Sequence, residues 1–308
     1  MLKSSVLTAL AAMTLGGQST AQEVTQVDDV VVSARSQDEL MRDFIEDIAP
    51  PERSLQTARF YREVCVGVIN LNPAAAQAIA DRVSQNALDV GLEPGQPGCR
   101  PNILVVATND GNALAKGLVE RKRRFFDPGG SGMTRSNQAL NRFTDGSQAI
   151  RWWHVATPVD ARTGQRAARL PGEQAPIVTG GASRLRTELR HDIDRVMVVL
   201  DLSKLEDLNF TQVADYVSMV SFAQVDDAAD FSGYPSVLTL LAGNPEVRGL
   251  TEWDREYLTS LYSARLNQPI RLQQQNEMMS LIRQARDKAH VREPSDRARH
   301  GLKAAVSS

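Results

Sequence analysis

The sequence predicts an α/β (α+β) protein: a twisted mixed sheet with packed helices, followed by a C-terminal helical segment. Three observations carry that expectation. Between Arg62 and Ala107 a β-prone run, an amphipathic helical pattern and a second β-prone run follow one another, the order of a right-handed βαβ unit. Ile193 to Asp201 reads as a strong strand leading into Phe210 to Ala223, where Phe210, Val213, Val217, Val220 and Ala223 recur every three or four residues as one helix face. Leu250-Thr251-Glu252-Trp253-Asp254 opens another helix, with Thr251 as its cap and Asp254 as the acid of a capping box.

Length and composition set the bounds. At 308 residues the chain can bury a sizeable core in one large domain or two modest ones. A hydrophobic fraction of 42% and a charged fraction of 23% are ordinary for a globular protein. A formal net charge of -2 gives no global argument for nucleic acid, so none is expected as a partner.

Residues 1–21 combine a positive start at Lys3, a short apolar run to Leu15 and the small residues Ser19-Thr20-Ala21. This is the pattern of a secretory signal peptide cleaved before Gln22, and the run is short for an uncleaved anchor. No later segment is long and apolar enough to cross a bilayer, so the expected location is exported, periplasmic or extracellular, with no transmembrane span after cleavage. In that oxidising setting Cys65 and Cys99, the only two cysteines, are expected to form a disulfide.

Residues 22–54 are polar and acidic and end at Pro50-Pro51, which reads as a flexible linker. Within it Val27-Asp28-Asp29-Val30-Val31-Val32-Ser33-Ala34-Arg35 is similar to the TonB box of outer-membrane receptors, a segment that adds as a strand to a periplasmic partner. A plain β-prone linker or a first strand is the competing reading, and the chain is too short to hold a receptor barrel as well.

The globular domain is expected over residues 55–266. Arg62 to Leu71 reads as a buried strand, and Asn72 caps a helix with Pro73 at its first position. Ala76, Ile79, Ala80, Val83, Ala87 and Leu88 form the inner face of that helix, with Gly91 as its left-handed end. Asn102 to Ala107 is the second strand, and Ala113 to Val119 a short helix after a turn.

Glu120-Arg121-Lys122-Arg123-Arg124-Phe125-Phe126 is the strongest charge run. It reads either as a contact for phosphate, lipid headgroups or polyanionic glycan, or as a solvated helix end, and the near-neutral chain favours the second. Ala149 to Ala156 is a third strand whose Trp152 and Trp153 point to opposite faces, one inward and one in a groove or on the surface. Residues 267–308 are expected to form a peripheral helix and a disordered tail.

The order of strands, the central helix, Ser236-Val237-Leu238 and then Leu-Thr-x-x-Asp-x-x-x-Leu-x-x-Leu-Tyr over Leu250 to Tyr262 resembles the metzincin-like zinc peptidases, over roughly Arg62 to Leu266. The resemblance implies a zincin-like fold with a closing helix and a turn where that clan has its Met-turn. The chain departs from the clan at the zinc helix, where two histidines one turn apart and a glutamate base are needed. The matching positions hold Asp215, Tyr216 and Met219, and the only histidines, His154, His191, His290 and His300, are not paired at ligand spacing. No metal, cofactor or catalytic residue is therefore expected.

Other chemistry finds little support. No Gly-x-Ser-x-Gly elbow is present, and Asp226-Asp227 reads as a solvated loop pair. The first functional expectation is a non-catalytic exported binding or envelope-associated module on a degenerate metallopeptidase-like scaffold. Its candidate cleft lies at Asp215, Tyr216, Met219 and Trp253 and would take a peptide or envelope ligand. The alternatives are an active hydrolase with an unrecognised metal or nucleophile, and an accessory of TonB-dependent transport.

Overall fold

The computed structural model describes residues 35–49, 56–174, 187–244, 246–265, 268 and 270–306. A four-stranded mixed sheet of order β1-β2-β4-β3 lies at its centre. β1 (Val66–Ile69), β2 (Ile103–Thr108) and β4 (Leu189–Asp201) run parallel to their neighbours, and β3 (Ile150–Asp160) pairs antiparallel with β4 at the edge. β2 and residues 196–200 of β4 are the near-continuous apolar runs a strand needs when helices cover both its faces.

Period-two alternation divides the core. Val196, Val198 and Leu200 of β4 join the larger cluster, with α1 (Gln37–Asp47), α2 (Pro73–Asp89), α6 (Phe210–Phe222), α7 (Glu252–Ser263) and the start of α8 (Arg271–Val306). Met197 and Val199 face the smaller cluster, built with α3 (Gly111–Arg121), α4 (Arg123–Phe126) and α5 (Asn137–Asp145). The βα connections thus leave β2 and β4 toward opposite faces.

The helix signals act as read. Asn72 accepts from the Ala75 amide and Pro73 begins α2, while Gly91 holds φ 85° just beyond its end. Thr251 and Asp254 form the expected capping box of α7. The opposite end of α7 is closed by a residue far away in sequence: buried Arg59 donates to the carbonyls of Leu261 and Ala264, setting a cation against the negative end of the helix. Tyr262 Oη donates to the Phe222 carbonyl at 2.6 Å, binding α7 to the end of α6.

Four local expectations change. The stretch expected as linker contains α1, capped by Ser36 and Glu39, which with Ile48 just beyond its end inserts Met41 and Phe44 into the core. Phe44 stands edge-on to Phe231, Tyr234, Trp253 and Tyr257, with centroids 5.1 to 6.2 Å apart. Neither tryptophan of β3 is exposed: Trp152 donates to the Val225 carbonyl and Trp153 to that of Phe126, one on each face of the sheet. α6 is buried from Gln212 to Phe222 on all sides, and Phe210 alone of its expected inner stripe is exposed. The backbone from Val291 to Val306, expected as tail, continues the helix of α8.

Cys65 and Cys99 form a disulfide with Cα atoms 6.0 Å apart, closing the α2 crossover over a separation of 34 residues. Replacing both by alanine should lower unfolding free energy by roughly 3 to 4 kcal/mol. Urea unfolding of the two forms measures this; equal midpoints would mean that the bridge does not constrain the unfolded chain.

Candidate functional site

α6 runs through the centre of the larger core cluster, and its polar residues decide whether it can serve a ligand. Asp215, Tyr216 and Met219 are 1%, 5% and 0% exposed, and Trp253 of α7 is 8% exposed. The four do not converge on one groove. Asp215 turns toward α2, Tyr216 stacks edge-on to Trp152 at 6.1 Å, Met219 is enclosed, and Trp253 packs against Phe44 with the Arg286 guanidinium 5.8 Å from its ring. Burial pushes the Tyr216 phenol well above its ordinary value.

The carboxylate of Asp215 is fully engaged. Arg82 donates through Nε to Oδ1 at 2.6 Å and through a terminal nitrogen to Oδ2 at 2.9 Å. Asn86 Nδ2 donates to Oδ1 at 2.7 Å, and the Leu250 amide donates to Oδ2 at 3.0 Å. The approach of the 249–250 segment requires glycine, because a Cβ on Gly249 would lie 2.2 Å from Asp215 Oδ2. A carboxylate accepting from a guanidinium, an amide side chain and a backbone N–H has no lone pair left to bind a metal or activate water.

Asp254 does comparable work for the Ser-Val-Leu turn. Fully buried, it accepts from Ser236 Oγ at 2.5 Å, the Val237 amide at 2.8 Å, and the amide and hydroxyl of Thr251 at 2.9 and 2.8 Å. Burial raises its pKa, and the hydrogen bonds from Ser236, Thr251 and Val237 offset part of that rise. The sequence string that carries the peptidase resemblance is thus a pinned turn joined to a capped helix.

Asp226 and Asp227 are not the solvated pair that composition suggests. Arg135 bridges both carboxylates, and Arg142 donates to Asp227 through Nε at 2.8 Å and a terminal nitrogen at 3.1 Å. Burial opposes charge on Asp227, but the two arginines outweigh it and hold its pKa below the usual carboxylate value. This network, with the Trp152 to Val225 bond, lies beside a small crevice that Arg142, Arg151, Gln148 and Asp227 help to line. No spacing in the sequence announces it, because its members lie in α5, the preceding loop and the segment after α6.

At the carboxyl ends of β2 and β4, buried Arg151 and Asp201 meet the first turn of α3. The Gly111 amide donates to Asp201 Oδ2 at 3.3 Å, and a Cβ at Gly111 would lie 2.9 Å from the Arg151 guanidinium. Arg151 also donates to the carbonyls of Phe143, Thr144 and Gln148, so this polar group is satisfied inside the fold.

Among the described residues no three His, Cys, Asp or Glu side chains gather where they could hold a metal ion. His154 lies in β3 with Nε2 buried and without a hydrogen-bond partner, and His191 Nδ1 in β4 is in the same state. Val30, Val31 and Val32 of the TonB-box-like segment lie outside the described residues. Compared with family models, curated proteins and solved structures, the chain matches none.

His154 gives the site a pH signature. Burial lowers its pKa from 6.5 to about 3, the Arg135 guanidinium adds to the drop, and the backbone of Ser221, Val220 and Ala223 offsets part of it. The unfolded chain takes up this proton near its ordinary value while the folded chain refuses it, so stability is full above that value and falls with pH below it. Between about pH 6.5 and pH 4 the loss should approach about 3 kcal/mol. Denaturant midpoints across that range should be flattened by His154→Gln; an unchanged slope in the variant would exclude His154 as the source.

Proposed function

We propose that the protein is a non-catalytic exported binding or envelope-associated module on a degenerate metallopeptidase-like scaffold. One observation carries the non-catalytic half: the α6 position where such a peptidase would present its ligands holds Asp215, whose oxygens are saturated by Arg82, Asn86 and Leu250. A hydrolytic metal needs at least three converging donors and an open coordination position. Neither fits a helix buried on every side from Gln212 to Phe222.

The scaffold half draws on the element order. A parallel β1-α2-β2 unit, an antiparallel edge strand β3, a parallel β4 leading into a central helix, a tight turn and a closing helix follow one another along the chain, and this order supports the resemblance. The Asp254 contacts give a physical reason for the turn to sit against the closing helix. Export is supported by the signal-like residues 1–21 and by the Cys65–Cys99 disulfide, which suits an oxidising compartment. With α6 packed shut, recognition is assigned to the outer surface of the fold.

The test is chemical. Protein recovered from its own envelope or secreted fraction should begin at Gln22, carry no stoichiometric zinc after dialysis, and leave a mixed peptide library uncut. Stoichiometric zinc that survives dialysis, with hydrolysis lost in Asp215→Asn, would overturn the reading.

A further inference from the structure

We propose that the exposed cations at the junction of α3 and α4 form a docking surface for an anionic phospholipid bilayer. This rests on the surface alone and is independent of whether the α6 scaffold ever carried a reaction. Arg121 ends α3, Lys122 joins the two helices, and Arg123 and Arg124 open α4. All four side chains are exposed, and none has a hydrogen bond or ion pair with a described residue. Elsewhere the arginines are largely engaged, as with Arg82, Arg135, Arg142, Arg190 and Arg286. The formal net charge of the whole chain is -2, so outside this run the chain is net acidic.

Arg121 lies in the last turn of α3, where a cation meets the negative helix end. α4 is a single turn, so Arg123 and Arg124 lie in its last turn as well, and a helix-end charge interaction of this kind does not require a side chain to be withdrawn from solvent. The opposite side of α4 is fixed: Phe126 is buried against Phe143 with centroids 5.5 Å apart, and its carbonyl accepts from Trp153 Nε1 at 2.9 Å. Beside it Arg195 stacks 4.7 Å from the Phe125 ring and donates to the Phe125 carbonyl. The cations are thus carried on a rigid corner rather than on a mobile tail.

The extent of the patch selects the partner. The run is short: four consecutive cations stand between exposed Glu120 and half-buried Asp127, a cluster of the size that suits an anionic lipid surface. A compact cluster suits the negative potential of a lipid headgroup layer, where each Lys or Arg near the surface strengthens binding by about fivefold. No helix of the described residues is long and apolar enough to cross a membrane, so the contact is peripheral and reversible.

Vesicle sedimentation tests it with the full mature chain. Phosphatidylglycerol-containing vesicles should bind the protein at low salt and release it at high salt, and pure phosphatidylcholine vesicles should not bind it. Joint replacement Arg121→Gln, Lys122→Gln, Arg123→Gln and Arg124→Gln should weaken binding by about 100-fold or more, and Arg123→Gln with Arg124→Gln by an intermediate factor. The unfolding temperature should fall by no more than a few degrees in both, because these side chains are exposed and contribute only helix-end charge. Absence of anionic-vesicle binding, equal binding by the four-site variant, or retention on a sulfated glycan without vesicle binding would each overturn the proposal.

Discussion

The carboxylate of Asp215 is the constraint on which the arrangement around α6 depends. It lies on a helix buried from Gln212 to Phe222 and joins two other pieces of chain to it: α2 through Arg82 and Asn86, and the backbone at Leu250 that leads into α7. An ionised group in such surroundings is tolerated only when each oxygen has strong donors, and the geometry supplies them on both oxygens. Gly249 belongs to the same device, since a side chain there would occupy the space of the Asp215 oxygen. Packing of α2 on α6 and entry into α7 are therefore one problem with one solution.

The other buried polar groups follow the same rule of internal satisfaction. Asp254 pins the turn at Ser236 and Val237, Arg59 closes the end of α7, and Arg135 with Arg142 neutralises Asp226 and Asp227 along the outer side of β3. These contacts use polar side chains to order loops that apolar packing alone leaves in several arrangements. The exceptions among the described residues are His154 Nε2, His191 Nδ1, Asn86 Oδ1, Ser221 Oγ and Trp253 Nε1, buried without a hydrogen-bond partner, and burial keeps His154 neutral. Arg121 to Arg124 stand apart as four consecutive exposed cations without a partner among the described residues.

Elements with strong local signals were legible in the sequence. Asn72-Pro73, Gly91 and the Thr251/Asp254 box mark helix ends through backbone chemistry that acts within a few residues, and β2 and β4 announce themselves as apolar runs. α1 escaped because its polar surroundings hide a short inward face of Met41, Phe44 and Ile48, whose partners Tyr234, Trp253 and Tyr257 lie some two hundred residues on. α5 was missed for a similar reason, being short and following a Gly-rich loop. At the site, Asp215 was singled out by its place in the central helix, but its partners were not. No local pattern reports that Arg82 and Asn86, one turn apart on another helix, point at the same carboxylate, and that pairing separates a buried structural hub from an open cleft.

The central claim, that Asp215 is a structural hub rather than a reactive group, is tested most directly by a double-mutant cycle in unfolding free energy with Arg82→Ala and Asp215→Ala. Since Arg82 is 33% exposed and partly screened, the account predicts a coupling energy of about 1 to 2 kcal/mol between the two changes, with Asp215→Ala the more destabilising alone. Strict additivity, with Asp215→Ala as stable as the native protein, would contradict it.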